Sequence, residues 1–267
     1  MKCSCVANGT LLLVLLGAGQ GSAQGPTGVA IDLSYPFNEE TVYWPTASPF
    51  ELTVEAAGQT EAGYWYAANS FSAAEHGGTH IDAPIHFAEG KRTAAEIPLD
   101  DLMGPAVVVD VSSAAADDAD YLVDIAAMEE WEREHGAIPD RAIVLLKTGW
   151  GGRWPDRSSY LGTAELGPAA VADLHFPGLG PDAAAWLVDE RRARAVGIDT
   201  ASIDRGQSTL FRAHRVLAEA NVPIFENVAN LDRLPATGAW VVALPMQIER
   251  GTGGPLRAVA FVPDSGK

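Results

Sequence analysis

Chemistry concentrates in the stretch Glu75-His76-Gly77-Gly78-Thr79-His80-Ile81-Asp82-Ala83-Pro84-Ile85-His86-Phe87, which holds three of the chain's six histidines together with an aspartate. Imidazole nitrogens and carboxylate oxygens are ligands a divalent cation takes at about 2.0–2.2 Å. The paired glycines after His76 make a helix costly, so the spacing of four between His76 and His80 does not describe one helical face. From Thr79 to Asp82 the alternation predicts a strand, with Thr79 and Ile81 pointing one way and His80 and Asp82 the other. Pro84 stops the pairing. The glycines let His76 fold back, so that two imidazoles and one carboxylate converge on a single cation. Zinc or manganese suits such a set, because it includes no thiolate. His86, just past the turn, stays free for proton transfer. Taken alone, the same residues also fit a tight turn carrying surface histidines.

Other chemistries lack their local signatures. The sequence contains no His-Glu-x-x-His, no Gly-x-Ser-x-Gly, no Gly-x-x-x-x-Gly-Lys-Ser/Thr and no Gly-x-Gly-x-x-Gly, so a metalloprotease helix, a hydrolase elbow, a P-loop and a dinucleotide fingerprint all lose support. A Ser/His/Asp triad, whose members need not be neighbours, has no local mark here.

The elements that must position these residues are mixed. Strand-like runs lie at 30–33, 50–54, 106–111, 142–147, 195–198, 222–225, 240–244 and 258–262, several of them continuous β-branched stretches of the kind found in buried sheets. Helices are expected at 124–135, at 182–192 behind Pro181, and at 209–220. Strands outnumber helices, which predicts one α/β domain with a largely β core. The 267 residues, 47% hydrophobic and 20% charged, are enough to bury one substantial core and exclude disorder or coiled coil. Eighteen basic against 35 acidic residues give a net charge of −17, which repels a phosphate backbone, and no nucleic-acid partner is expected.

The first 23 residues predict a cleaved secretory signal peptide, from Lys2, the apolar run Leu11–Leu16 and the small residues Gly21-Ser22-Ala23. Its removal leaves residues 24–267 as an exported, periplasmic or secreted domain with no membrane partner. It also carries away Cys3 and Cys5, so the mature chain would have neither a disulfide nor a thiol nucleophile.

The run from His76 to Phe87 resembles the signature of the metal-dependent cyclase family, which includes bacterial kynurenine formamidases (arylformamidases) and isatin hydrolases. Supporting stretches are Trp44-Pro45, Leu146–Trp150, Val196–Asp204 and Phe225–Leu231. Tyr66–Asn69 and Leu244-Pro245-Met246 look closer to the isatin-hydrolase side. The resemblance implies a swivelling β/α fold that assembles as a dimer or higher oligomer. It implies that His76, His80 and Asp82 hold a first ion, and that Glu226 joins them or bridges to a second. His214 would be the other second-ion ligand, with Asp82 shared, for one or two Mn or Zn ions in all. His86 then matches the proton donor and acceptor, and Trp44 a pocket-lining aromatic. Gln207 stands as an alternative oxygen ligand or substrate contact.

Without the resemblance, His214 between Arg212 and Arg215 reads as a surface or capping residue, Glu226 as a strand-end carboxylate, and Trp44 as core packing. His135 and His175 read as structural. The expected activity is hydrolysis of a small aromatic amide, open or cyclic, by activated water, with substrate against Trp44, Tyr66 and Phe87. An arylformamidase or lactonase on the same site is the near alternative, and a secreted metal- or small-molecule-binding protein without turnover the distant one.

Overall fold

The computed structural model describes residues 28–263; the expected signal peptide, residues 1–23, lies outside them. In chain order the strands and helices begin with β1 (Val29–Asp32), β2 (Glu51–Gln59), β3 (Trp65–Ser72), β4 (His80–Asp82), α1 (Leu99–Leu102), β5 (Met103–Asp110), α2 (Ser112–Asp117), β6 (Leu122–Val123) and α3 (Ile125–His135). They continue with β7 (Ile143–Lys147), α4 (Arg157–Leu161), β8 (Gly178–Leu179), α5 (Pro181–Asp189), β9 (Ala195–Ile198), α6 (Arg212–Glu219), β10 (Ile224–Glu226), β11 (Ala239–Pro245) and β12 (Gly253–Val262).

Alternation in the buried strands decides the architecture. Val107 and Val109 of β5 and Val144 and Leu146 of β7 pack outward against Met128 and Trp131 of α3, Ala184 and Leu187 of α5, and Leu217 of α6. Their sequence neighbours Ala106, Val108, Ile143 and Leu145 face the other way, onto Ile81, Phe225, Val241 and Ala258. A strand buried on both faces reads as a continuous apolar run, which is what these segments are. The main sheet runs β1-β12-β11-β5-β7-β9-β10-β4, and a further β12–β4 pairing closes it into a barrel. Strands β5, β7, β9 and β10 are parallel, and the remaining pairings in the sheet are antiparallel. The expectation of a single α/β domain with a largely β core therefore holds.

Boundaries moved for identifiable reasons. Asp124 is not the first helical residue of α3; its carboxylate accepts the Ala127 amide proton and so caps the helix. Helix α5 stops at Asp189, with Arg192 turning into the left-handed region at φ 47°. Helix α6 begins at Arg212, because Phe211 is also left-handed, at φ 46°. Strand β3 had no sequence signal strong enough to announce it. Its pairing with β2 carries both through Ala- and Gly-containing stretches of low β propensity, with a register shift between Val54 and Ala56.

Candidate metal centre

Strand β4 carries the centre of the site. Ile81 enters the barrel core, which turns His80 and Asp82 to the opposite, helix-covered face. The antiparallel register sets Glu226 of β10 directly across from His80, and Ile224 across from Asp82. His214, buried in the first turns of α6, comes down onto the same face. The two glycines of the motif serve close approach. A Cβ on Gly77 would meet the Tyr43 ring at 2.0 Å, while Gly78 is left-handed at φ 57° and a Cβ there would meet Phe37 at 2.8 Å.

Each imidazole has its outer nitrogen already engaged. His76 Nε2 lies within hydrogen-bond distance of Thr252 Oγ1, at 2.8 Å, and His80 Nδ1 donates to the Gly78 carbonyl at 3.0 Å. His214 Nδ1 donates to Asp204 Oδ2 at 2.7 Å. The inner nitrogens therefore face carboxylates. His76 Nδ1 lies 2.6 Å from Asp82 Oδ1, and His80 Nε2 lies 3.2 Å from the same oxygen and 3.4 Å from Glu226 Oε2. His214 Nε2 lies 3.0 Å from Asp82 Oδ2 and 3.1 Å from Glu226 Oε1.

Lone pairs set against carboxylate oxygens in a buried place repel unless positive charge sits among them. With protons alone supplying that charge, burial lowers the His80 pKa, but the nearby carboxylates of Asp82 and Glu226 override it and carry it up to about 10. His214 is likewise driven well above its ordinary value, burial being overcome by Asp204, Asp82 and Glu226. Burial raises Asp82, yet the His76 charge and the bonds from His214, His76 and His80 hold it well below the carboxylate range.

A divalent cation satisfies the same arrangement. His80 Nε2 is buried without a hydrogen-bond partner, as a ligand nitrogen should be. Candidate ligand atoms of His76, His80 and Asp82 all lie within 4.8 Å of one another, as do those of Asp82, His214 and Glu226. The donor set of imidazole and carboxylate without thiolate suits a divalent metal.

A cavity of about 280 Å³ opens onto these atoms, walled by Val42, Tyr43, Trp44, Phe87 and Phe211. His86 lines it with an open edge and stacks on His76, ring centroids 3.9 Å apart. Phe87 lies 4.3 Å from the His214 ring and 5.4 Å from Phe211. A larger groove of about 500 Å³ lies elsewhere, along Arg92, Asp101, Arg141 and Arg194. Its Arg92 and Arg141 are already paired with Asp101, and Arg194 with backbone carbonyls.

Of the residues singled out from sequence, His76, His80, Asp82, His86, His214, Glu226, Trp44 and Phe87 meet at this cavity. Two do not. Tyr66 sits 52% exposed on β3, whose only strand partner among the described residues is β2, and is no part of the cavity wall. Gln207 is not among the residues that wall the cavity, and its Nε2 donates instead to the Leu174 carbonyl at 2.5 Å and the Ala172 carbonyl at 3.3 Å. His175 has a structural partner, Asp120, at 2.8 Å.

Sequence reasoning passed over Asp204, ten residues before His214, and Phe211, whose left-handed backbone aims its ring at the cavity. It also passed over Asn227, whose amide donates to the Gly78 carbonyl at 2.7 Å. Asp204 and Asn227 stand in the stretches Val196–Asp204 and Phe225–Leu231 that supported the resemblance but were given no role there.

Comparison with known proteins agrees with this geometry. Residues 31–205 match the Cyclase family model. The chain is 36% identical over 209 residues to an isatin hydrolase of Roseibium aggregatum, covering 75% of this chain and 77% of that protein. It is 29% identical over 233 residues to a kynurenine formamidase of Bacillus cereus, covering 86% and 95%. The solved isatin hydrolase A of Labrenzia aggregata bound to benzyl benzoate superposes with a TM-score of 0.80 at 34% identity, over 88% of this chain and 94% of that one. Motif, barrel and family match coincide, and the chain belongs to the Cyclase family.

Proposed function

We propose that this chain hydrolyses an isatin-like aromatic lactam, with an N-formyl aniline of the kynurenine type as the second reading on the same site. It is a metal-dependent hydrolase of non-peptide amide bonds, and the relatives named for isatin and for kynurenine formamide support the two substrate readings. The observation that carries the proposal is the cavity itself, in which four imidazoles and two carboxylates lie beneath a wall of Trp44, Phe87 and Phe211. A flat aromatic substrate fits such a wall, and Phe211 takes the place first given to Tyr66.

His76, His80 and Asp82 would hold the first ion, and Asp82, His214 and Glu226 a second, with Mn or Zn suiting the ligands. When bound, such an ion lowers the pKa of a water molecule to about 7 and polarises a carbonyl oxygen. His86 keeps an exposed edge, but the burial of its remaining surface and the neighbouring His76 and His214 push its pKa below the ordinary value, to about 4, against the pull of the Asp82 carboxylate. The ring is therefore neutral at pH 7 and can take the proton of the attacking water. It returns that proton to the amide nitrogen, which leaves as a neutral amine.

Metal-loaded protein given isatin or N-formylkynurenine, followed by absorbance, tests the reading. His86→Ala should lower turnover about 10²–10⁴-fold with ions per chain unchanged. Wild-type protein inert to both substrates, or a variant of full activity, would sink it.

Two further expectations belong to this reading. Export is supported by the layout of residues 1–23 and is checked by N-terminal sequencing of protein recovered outside the cytoplasm. Self-association is supported by the β2–β3 hairpin, where Leu52, Val54, Trp65, Tyr66 and Phe71 all stand exposed in the single chain. A two-stranded hairpin is marginal in water unless something packs on it, and light scattering on the purified protein gives the oligomer size.

A further inference from the structure

Behind His76, on the side away from Asp82, stands a pair of side chains that the proposed mechanism does not use. Thr252 belongs to the connection between β11 and β12, 176 residues from His76 in sequence, and Glu75 precedes His76. The Thr252 hydroxyl donates to Glu75 Oε2 at 2.5 Å, and the Thr252 amide donates to the same oxygen at 2.9 Å. A hydroxyl has one proton. With that proton given to Glu75, Oγ1 can only accept from His76, so the His76 proton must sit on Nε2, at 2.8 Å. The connection itself is fixed, since the Thr252 carbonyl accepts from Ala83 N at 2.8 Å, tying it to the end of β4.

We propose that Glu75 and Thr252 are positioning residues that hold the proton on Nε2 of His76 and so commit Nδ1, which lies 2.6 Å from Asp82 Oδ1, to the ion. Carboxylate, hydroxyl and imidazole form a chain in which Glu75 orients the hydroxyl and the hydroxyl orients the His76 ring, without either touching the ion. The sheet closure is drawn into the site by the same means, because Thr252 leads directly into Gly253, the β12 residue that pairs with Asp82.

The inference rests on the reading of this place as a metal centre, and one measurement separates the two. The dissociation constant for Mn²⁺ is determined by chelator competition, and ions per chain by elemental analysis, for wild type, Thr252→Val, Thr252→Ser and Glu75→Ala, with thermal melting of the ion-free proteins alongside. Thr252→Val keeps the shape, the amide and the carbonyl but loses the acceptor. Glu75→Ala frees the hydroxyl proton to turn toward His76. Each should weaken Mn²⁺ binding about 10–100-fold, the double variant no more than the worse single one, and Thr252→Ser should bind like wild type. A Thr252→Val protein that melts earlier yet binds Mn²⁺ as wild type does would overturn the relay and leave the metal centre standing. Wild-type protein that takes up no ion would overturn both.

Discussion

Asp82 belongs to two ligand trios that the chain builds in opposite ways. His76, His80 and Asp82 lie within one short stretch, where the glycine turn and the alternation of β4 bring them together. His214 and Glu226 reach Asp82 from far along the chain, His214 from 132 residues away, through the docking of α6 and the register of β10 against β4. The outer supports differ as well. Neutral groups, Thr252 Oγ1 and the Gly78 carbonyl, take the protons of the first trio's histidines, whereas a carboxylate, Asp204, takes that of His214. The ligands of the local trio are brought together by one stretch of backbone and only their outer support reaches across the fold, while the distant trio needs correct tertiary structure for the ligands themselves and carries more negative charge in the same space.

Asp82→Asn attacks what the two trios share and should have the largest effect. It removes the one carboxylate that faces all three histidines. Loss of an ion that supplies several kcal/mol of charge stabilisation corresponds to a fall in turnover of more than about 10³-fold. Ions per chain should drop to near zero by elemental analysis. A variant that kept one ion would show that the trios hold their ions independently, contrary to the shared carboxylate seen here.

Proton competition separates the trios next. His80 is carried up to about 10 and His214 is raised well above its ordinary value, so in the ion-free chain both are protonated at neutral pH. Ion uptake must displace those protons, and raising the pH helps it. Apparent Mn²⁺ affinity should climb about tenfold per pH unit for each proton displaced between about pH 6 and 9, and weaken by the same factor as pH falls. Calorimetry in buffers of different ionisation enthalpy counts the protons. More protons are released when both trios fill than when one does, whereas an affinity flat with pH contradicts the electrostatics of the whole site.

The same contrast explains what the sequence could reveal. The local trio was legible because its spacing, its glycines and the strand alternation are properties of one segment, and β4 presents His80 and Asp82 as that alternation requires. The buried strands were legible from their apolar runs. His214 and Glu226 stood out only through the resemblance to the family, since a histidine between two arginines on a helix has no local mark of a ligand. Asp204 stood only as the end of a stretch that supported the resemblance, and neither Thr252 nor Phe211 had a site role legible in the sequence. Thr252 matters only because the barrel closes β12 onto β4, and Phe211 only because a left-handed turn precedes α6. Tyr66 misled for the complementary reason. An aromatic residue near the motif in sequence lies on a hairpin that pairs with nothing in the main sheet.

Asp204→Asn tests the distant trio alone. Asp204 Oδ2 accepts from both Nδ1 and the amide of His214, at 2.7 and 3.1 Å, while Oδ1 accepts from the Ala213 amide at 3.2 Å. An asparagine keeps the size but has one acceptor oxygen in place of two. With its oxygen kept on the Ala213 amide, its NH₂ group takes the place of Oδ2 and faces His214 Nδ1, which favours the tautomer carrying its proton on Nε2. That proton then points at Asp82 and Glu226, where an ion would sit. Binding to the second trio should weaken about 10–100-fold, while the first trio keeps its affinity, so a two-step Mn²⁺ titration should lose its second step. The lost helix-start bond costs about 1 kcal/mol of stability, visible as a lower melting temperature with or without Mn²⁺. If melting falls while both steps of the titration survive, Asp204 only caps α6, and the distant trio owes its geometry to the sheet register instead.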